Sequence, residues 1–405
     1  MRLLLIVGLL LPAGLSFADW QSIGPEGGQI YCGVVPAGGA AVYVASTATN
    51  TPVYSTTNGG ASWAPAGAAL GNYPWVMAAH PTDPNTLYGA VSTIFYRTTN
   101  GGTNWSQYSF GSNTIGYDIA VNPLNPQVIY AGGYKYDGSA WRMSASKSTD
   151  GGATWTATQL DTATPAYGYS CALDPLDTTK VYVGGYAGST TAFYRSTDCG
   201  VTWTRVTWPE NAYYVYSIYA SPTSPNTVFA GTLYGVWRST DAGQTWTKQS
   251  TCNYNYRIVS VPGQPSVMYS ACLSNVYKST DSGLTWAAVG AGLFGTTIRT
   301  VLTVPGSNST VYAGSTAGMF KSTDYGATWT AVNSGILIGK IPALSFVPNA
   351  PGSAWAEFMD NAIFVTTNDG NSWSRQTSPL SCGNLCNIVF DPSDPQRVWM
   401  FEAGG

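Results

Sequence analysis

The chain has 405 residues, of which 44% are hydrophobic, 13% aromatic and only 9% charged. A composition so rich in aromatics and poor in charge excludes an intrinsically disordered chain. A net charge of −3, with no basic run, gives no footing for nucleic-acid binding.

Taken in chain order, the first element is a targeting segment. Arg2, the apolar run over residues 3–11 and the small residues around Ser16-Phe17-Ala18 read as a secretory signal peptide covering residues 1–18, cut before Asp19. No later stretch is apolar enough to span a membrane, so the mature chain is expected to be soluble and either secreted or periplasmic. Residues 20–25 read as an isolated last strand of a repeat unit.

From there the chain repeats. Segments resembling S-T-D-x-G-x-T-W occur eight times, ending at Trp63, Trp105, Trp155, Trp203, Trp246, Trp286, Trp329 and Trp373, at intervals of 42, 50, 48, 43, 40, 43 and 44 residues. That period is the size of one four-stranded propeller blade. Each unit offers an apolar strand ending at a Pro turn (Ile119-Ala120-Val121-Asn122-Pro123), then a second strand (Val128-Ile129-Tyr130-Ala131-Gly132). A third carries an Arg/Lys-Ser-Thr run (Val236-Trp237-Arg238-Ser239-Thr240), and a fourth follows the Asp-Gly turn. In that turn Asp150, Asp198, Asp241, Asp281 and Asp324 can accept hydrogen bonds from nearby backbone N–H groups, and Asn58, Asn100 and Asn368 keep the ability. Gly152, Gly200 and Gly243 suit the positive φ of such a turn. The Trp is expected to pack between neighbouring blades.

On these residues the chain resembles the Asp-box, or bacterial neuraminidase repeat, propellers over residues 19–405. Sialidases, xyloglucanases, the sortilin ectodomain and photosystem II assembly factors belong to that group. The resemblance implies an all-β propeller of four-stranded antiparallel blades. It implies no one function, since those proteins do different things. Counting strands gives eight complete units in a single propeller over 19–405, with an incomplete ninth blade shared by the termini. Residues 388–392 and 397–401 would be its first and second strands. The open edge of that blade could pair with another chain.

The repeated Asp-box acids read as turn supports. A glycosidase needs two carboxylates facing each other about 5 to 10 Å apart. Asp118, at the start of an innermost strand, is the best single candidate. The resemblance to sialidases implies three carboxylate-binding arginines, one in Arg-Ile-Pro, but Lys340-Ile341-Pro342 stands there instead. Arg97, Arg195 and Arg238 precede Asp-boxes where Lys147, Lys278 and Lys321 stand in other units. A bidentate carboxylate site would not accept that exchange. Only Arg257 and Arg299 fall at inner-strand starts. A two-propeller xyloglucanase would need a longer chain, and the single His80 supplies no triad.

One pattern exceeds the repeat. Six residues before the Pro that ends the innermost strand stand Trp75, Tyr117, Tyr169, Tyr216 and Tyr256 in consecutive units. Two residues earlier stand Tyr73, Tyr167, Tyr214 and Tyr254. This spacing puts both rings on one side of an extended chain. Three further units lack the pattern, with Ile30, Pro342 and Cys386 at the position. The expectation is an aromatic crescent near the mouth of the central channel, with inter-blade packing as its alternative. Of seven cysteines, Cys252 with Cys272 and Cys382 with Cys386 could form disulfides. No metal-ligand spacing is present and no cofactor is expected. The reading is an exported, non-catalytic binding or scaffold propeller for a glycan or protein segment. Its alternatives are a glycoside hydrolase at the same face and an assembly factor for a membrane complex.

Overall fold

The computed structural model describes residues 29–46, 53–67, 70, 74–162, 165–293, 297–334, 343–348, 350–357, 363–368, 373–376, 385–390, 394 and 397–402. The signal peptide, residues 20–25, Tyr73, Lys340-Ile341-Pro342 and Cys382 lie outside the described residues.

The described chain folds into eight four-stranded antiparallel sheets and a two-stranded hairpin, as expected for an all-β propeller. Every four-stranded sheet is a meander of consecutive strands. The first is Ile30–Val34, Val42–Ser46, Val53–Thr56 and Ala64–Pro65. Three of the second strands, Val42–Ser46, Leu87–Val91 and Val228–Thr232, are buried at every position. They lie between neighbouring blades and are covered on both faces, which suits runs of Val, Ala, Tyr and Gly. The outermost strands are short and exposed, as in Thr204–Arg205 and Thr247–Lys248. Brevity and charge blunt such edges against pairing.

Seven sheets close into a ring. Their inner strands are Ile30–Val34, Val76–Ala79, Thr114–Val121, Ala166–Leu173, Val215–Ala220, Arg257–Val261 and Ile298–Val304. Each contacts the next, and the last returns to the first. The seam is a full interface. Ile30, Val44, Tyr54 and Trp63 share one apolar cluster with Leu302, Tyr312 and Met319. Trp63 Nε1–H donates to Val332 O at 2.8 Å, and Lys321 Nζ donates to Gly59 O at 2.8 Å. Among the described residues closure therefore occurs at the seventh unit, while residues 20–25, expected to share a ninth blade with the C-terminal strands, lie outside them. Counting units cannot reveal which two faces meet, because every blade offers the same apolar flanks. The eighth sheet (Ala343–Phe346, Ala354–Glu357, Ile363–Thr366, Ser374–Gln376) packs instead on the hairpin Leu385–Phe390 and Val398–Glu402. Trp355, Val398, Ile388 and Phe390 gather between them.

The Asp-box explains both turn and seam. Asp150 Oδ1 accepts the Thr154 N–H at 2.9 Å and Oδ2 accepts the Thr154 hydroxyl at 2.6 Å, while Ser148 Oγ accepts the Gly152 N–H at 2.8 Å. Asp198, Asp241, Asp281 and Asp324 repeat this net. Asn58 and Asn100 accept the corresponding N–H at 3.0 Å, and Asn368 Oδ1 accepts the Thr366 hydroxyl. In several blades the cation before the box reaches the next blade. Arg97 donates to Gly151 O, Lys147 to Cys199 O, and Arg195 to Ala242 O. A carbonyl acceptor takes either cation, which accounts for the Arg/Lys exchange. The box Trp packs across the seam as expected, with Trp246 4.9 Å from Phe193 and Trp155 5.0 Å from Phe95.

Candidate functional site: a tyrosine mouth on the channel

Five of the seven inner strands of the ring share one irregularity at their starts. Pairing with the second strand skips a residue between Ile30 and Cys32 in the first blade. It skips again around Tyr117, Tyr169, Tyr216 and Arg299 in the third, fourth, fifth and seventh. A β-bulge of this kind leaves its extra residue unpaired and re-aims that side chain. The bulged residues are Tyr31, Tyr117, Tyr169, Tyr216 and Arg299. Glycine across the ladder makes room: a Cβ on Gly185 would stand 2.0 Å from Tyr167 O, and one on Gly133 would stand 1.8 Å from Ile115 O.

These side chains converge. Tyr31, Tyr117, Tyr169, Tyr216, Tyr256 and Arg299 line one cavity of about 250 Å³. Ring centroids run 5.2 Å from Tyr117 to Tyr169, 6.2 Å on to Tyr216 and 5.2 Å on to Tyr256. The Arg299 guanidinium completes the circuit, 4.7 Å from the Tyr256 ring and 5.6 Å from that of Tyr31. Trp75 of the second blade stacks on Tyr117 at 4.3 Å. Burial pushes the Tyr117, Tyr169 and Tyr216 hydroxyls above the usual tyrosine range, so they are neutral donors and acceptors near pH 7.

The residues two earlier form a second tier. Tyr214 stacks on Tyr216 at 5.5 Å, Tyr254 lies 6.0 Å from Tyr256, and Tyr167 lies 6.5 Å from Tyr169. The tier extends outward through aromatics of the second and third strands. Tyr134 meets Tyr167 at 5.0 Å and Trp141 at 5.2 Å, and Tyr186 stacks on Tyr214 at 4.8 Å. All of these rings are half-buried, each showing part of its surface to solvent.

Sequence reasoning missed Tyr31, Tyr134, Trp141 and Tyr186. Tyr31 lies five residues before its Pro where the others lie six, so alignment on the Pro placed Ile30 at the position. Ile30 is fully buried in the seam. The signal that could have found Tyr31 is an aromatic flanked by buried apolar residues at an inner-strand start.

Asp118 is placed differently from the aromatics. It is 8% exposed, and its two oxygens accept the Ile119 and Cys171 N–H groups, both at 2.9 Å. It thereby ties the third blade to the fourth. Burial raises its pKa, opposed by the Arg257 guanidinium and by those two N–H bonds. Arg257 is absent from the cavity lining, where Arg299 is the one cation among the described residues. Outside the mouth, Asp161 accepts from Tyr194 at 2.6 Å and pairs with Arg205 at 3.2 Å, and Asp137 pairs with Arg142 at 2.7 Å. Cys252 and Cys272 are thiols with Sγ atoms 2.8 Å apart. Cys386 lies in the terminal hairpin, and its proposed partner Cys382 is outside the described residues.

No family model and no curated protein matches the chain. Solved structures do. An ancestral GH74 enzyme superposes with a TM-score of 0.62 at 17% identity, over 96% of this chain and 68% of its own. YCF48 from Cyanidioschyzon merolae gives 0.54 at 13%, over 76% and 99%. The extracellular domain of a hybrid two-component system from B. thetaiotaomicron gives 0.53 at 13%, over 93% and 50%. At these identities the likeness is one of fold, and the chain is a β-propeller.

Proposed function

We propose that this propeller is an exported binding module whose ligand seats on the tyrosine mouth, and that the ligand is a glycan. The observation that carries the reading is the convergence of five tyrosines and Arg299, from six different blades, on one cavity. Rigid rings with polar tips supply contact area at little cost in side-chain entropy, and their faces suit the C–H faces of sugar rings. The hydroxyls and the guanidinium supply hydrogen bonds to sugar oxygens.

Support for binding over hydrolysis comes from how the acids are used. Asp118 is held by two backbone amides, and Asp161 and Asp137 are paired with arginines. Hydrolysis would call for two opposed carboxylates about 5 to 10 Å apart at the mouth. Among the described residues the cavity lining contains none. An exported location agrees with the signal-peptide reading, and no helix among the described residues is long and apolar enough to cross a membrane.

The test is a glycan array probed with the mature chain, followed by titration of the best glycan against wild type and the Tyr169→Ala plus Tyr214→Ala variant. The reading expects a glycan bound by wild type and weakened in the variant. An array without binders, alongside a captured protein segment whose binding the variant weakens, would replace glycan by peptide. Unchanged binding by the variant in both assays would remove the mouth from function.

A further inference from the structure

The Tyr254–Tyr256 arm of the mouth is held from beneath by a compact polar knot. Asn255, fully buried between the two tyrosines, donates from Nδ2 to Thr232 O at 3.1 Å and Cys252 O at 2.7 Å. Its Oδ1 accepts from the Cys252 thiol at 2.9 Å, the Cys272 thiol at 3.0 Å and the Ser270 hydroxyl at 3.1 Å. The two sulfurs are 2.8 Å apart, and both residues are buried at 6% and 2% exposure. The backbone around them is also engaged. Tyr254 N–H donates to Leu233 O, Asn255 N–H to Thr232 O, and Tyr256 N–H to Ala271 O, next to Cys272. Tyr254 adopts a φ of 55°, a conformation that a tyrosine takes only where its surroundings impose it.

We propose that Cys252 and Cys272 are an oxidative modification site: they join as an intramolecular disulfide that pins the Tyr254–Tyr256 arm, so that the redox state of this pair sets how rigidly that side of the mouth is presented. This rests on the reading of the mouth as a ligand site. The other described cysteines are engaged apart from this pair. Cys32 donates to Pro74 O, and Cys199 sits in the fourth Asp-box. Cys171 lies on the inner strand of the fourth blade. Both covalent states leave the knot satisfied, since Ser270 still donates to Asn255 Oδ1 once the thiol protons are gone.

The exchange balances with glutathione disulfide as oxidant. The Cys252 thiolate attacks one glutathione sulfur, breaking the glutathione S–S bond and releasing one glutathione, which takes up a proton. Cys272 then loses its proton and attacks Cys252 Sγ in the mixed disulfide, releasing the second glutathione. Two protein thiols are oxidised and one glutathione disulfide is reduced to two thiols. Burial of both sulfurs shields them in the folded protein, so the bond forms while the chain folds, before the 252–256 turn seats.

The experiment refolds the mature chain in a glutathione redox buffer and digests it with trypsin without reduction. The proposal expects residues 249–257 and 258–278 to appear as one linked peptide. It also expects amide exchange at residues 253–256 to be about tenfold or more slower in the oxidised protein than in the reduced one. The Cys252→Ser plus Cys272→Ser variant should exchange like reduced wild type in either buffer. Unlinked peptides, linkage to Cys32, Cys171 or Cys199, or equal exchange rates in the two states would each overturn it. None of these readouts needs a glycan, so failure here is separable from failure of the binding reading.

Discussion

The two ends of each blade use the same backbone repeat in opposite ways. In the third blade, Thr114, Tyr136 and Trp141 mark the mouth end of the ladder, while Val121, Ile129 and Ser148 mark the Asp-box end. At the box end the side-chain chemistry repeats and closes on itself. The carboxylate, the hydroxyls and the N–H groups of one turn find partners within that turn, and the cation before it reaches the next blade. At the mouth end the backbone device, a bulge, repeats while its side chain varies from tyrosine to arginine. Polar groups settled within their own turn make a scaffold. Side chains turned out of the ladder toward a common cavity are available to something else.

That contrast can be broken from either end. The largest expected effect is Trp246→Ala at the scaffold end. Trp246 is 5% exposed and packs against Phe193 and Trp208. Its loss should cost about 3–5 kcal/mol, read as a lowered denaturant midpoint. Any ligand affinity of the chain that stays folded should survive. At the mouth, Tyr169→Ala plus Tyr214→Ala should do the reverse. It should weaken glycan binding by roughly 5- to 150-fold, on about 1–3 kcal/mol for two rings, and shift the unfolding midpoint far less than the Trp variant. A mouth variant that unfolds the protein as readily as Trp246→Ala would show the rings to be packing.

A smaller effect separates the cation latches from the mouth cation. Lys321→Met removes the bond to Gly59 O at the ring seam and should lower stability by about 1 kcal/mol without touching the mouth. Arg299→Met should leave the unfolding midpoint near wild type while reducing affinity.

The smallest effect is on pH dependence. Hydrogen bonds from Thr154, Thr202, Thr285 and Thr328 hold Asp150, Asp198, Asp281 and Asp324 at about 2, below the usual carboxylate range. A folded-state pKa below the unfolded value adds stability that is complete above about pH 4. That stability is lost as pH falls toward about 2. Asn58 and Asn100 do not titrate, so their boxes are indifferent. Replacing the four aspartates by Asn should flatten the fall of the melting temperature between about pH 4 and pH 2. An unchanged acid profile would mean that the boxes are not what acid undoes.

Much of this molecule is legible in its sequence because the Asp-box carries its own physics. Ser148, Asp150, Gly152 and Trp155 name a turn whose bonds are local, and the structure realises them as read. The tyrosines at inner-strand starts were visible for the same reason of spacing. Two features were hidden. The number of blades in the ring depends on which apolar flanks meet, and Ile30 could pack against Leu302 only in three dimensions. Tyr31 escaped because its Pro stands one residue nearer, and Tyr134, Trp141 and Tyr186 because they arrive from other strands of their blades.

The seam between Lys321 and Gly59 joins residues 262 positions apart. Until the chain has grown past Val332, the flank formed by Ile30, Val44 and Tyr54 has no cover, however well the blades between have formed. During synthesis each new blade can dock on the one before, but the first waits for the seventh. The time of greatest exposure to aggregation is therefore set by the length of chain still to be made. A chaperone that shields the first blade would shorten that hazard, whereas one that acts only on the finished ring would arrive too late.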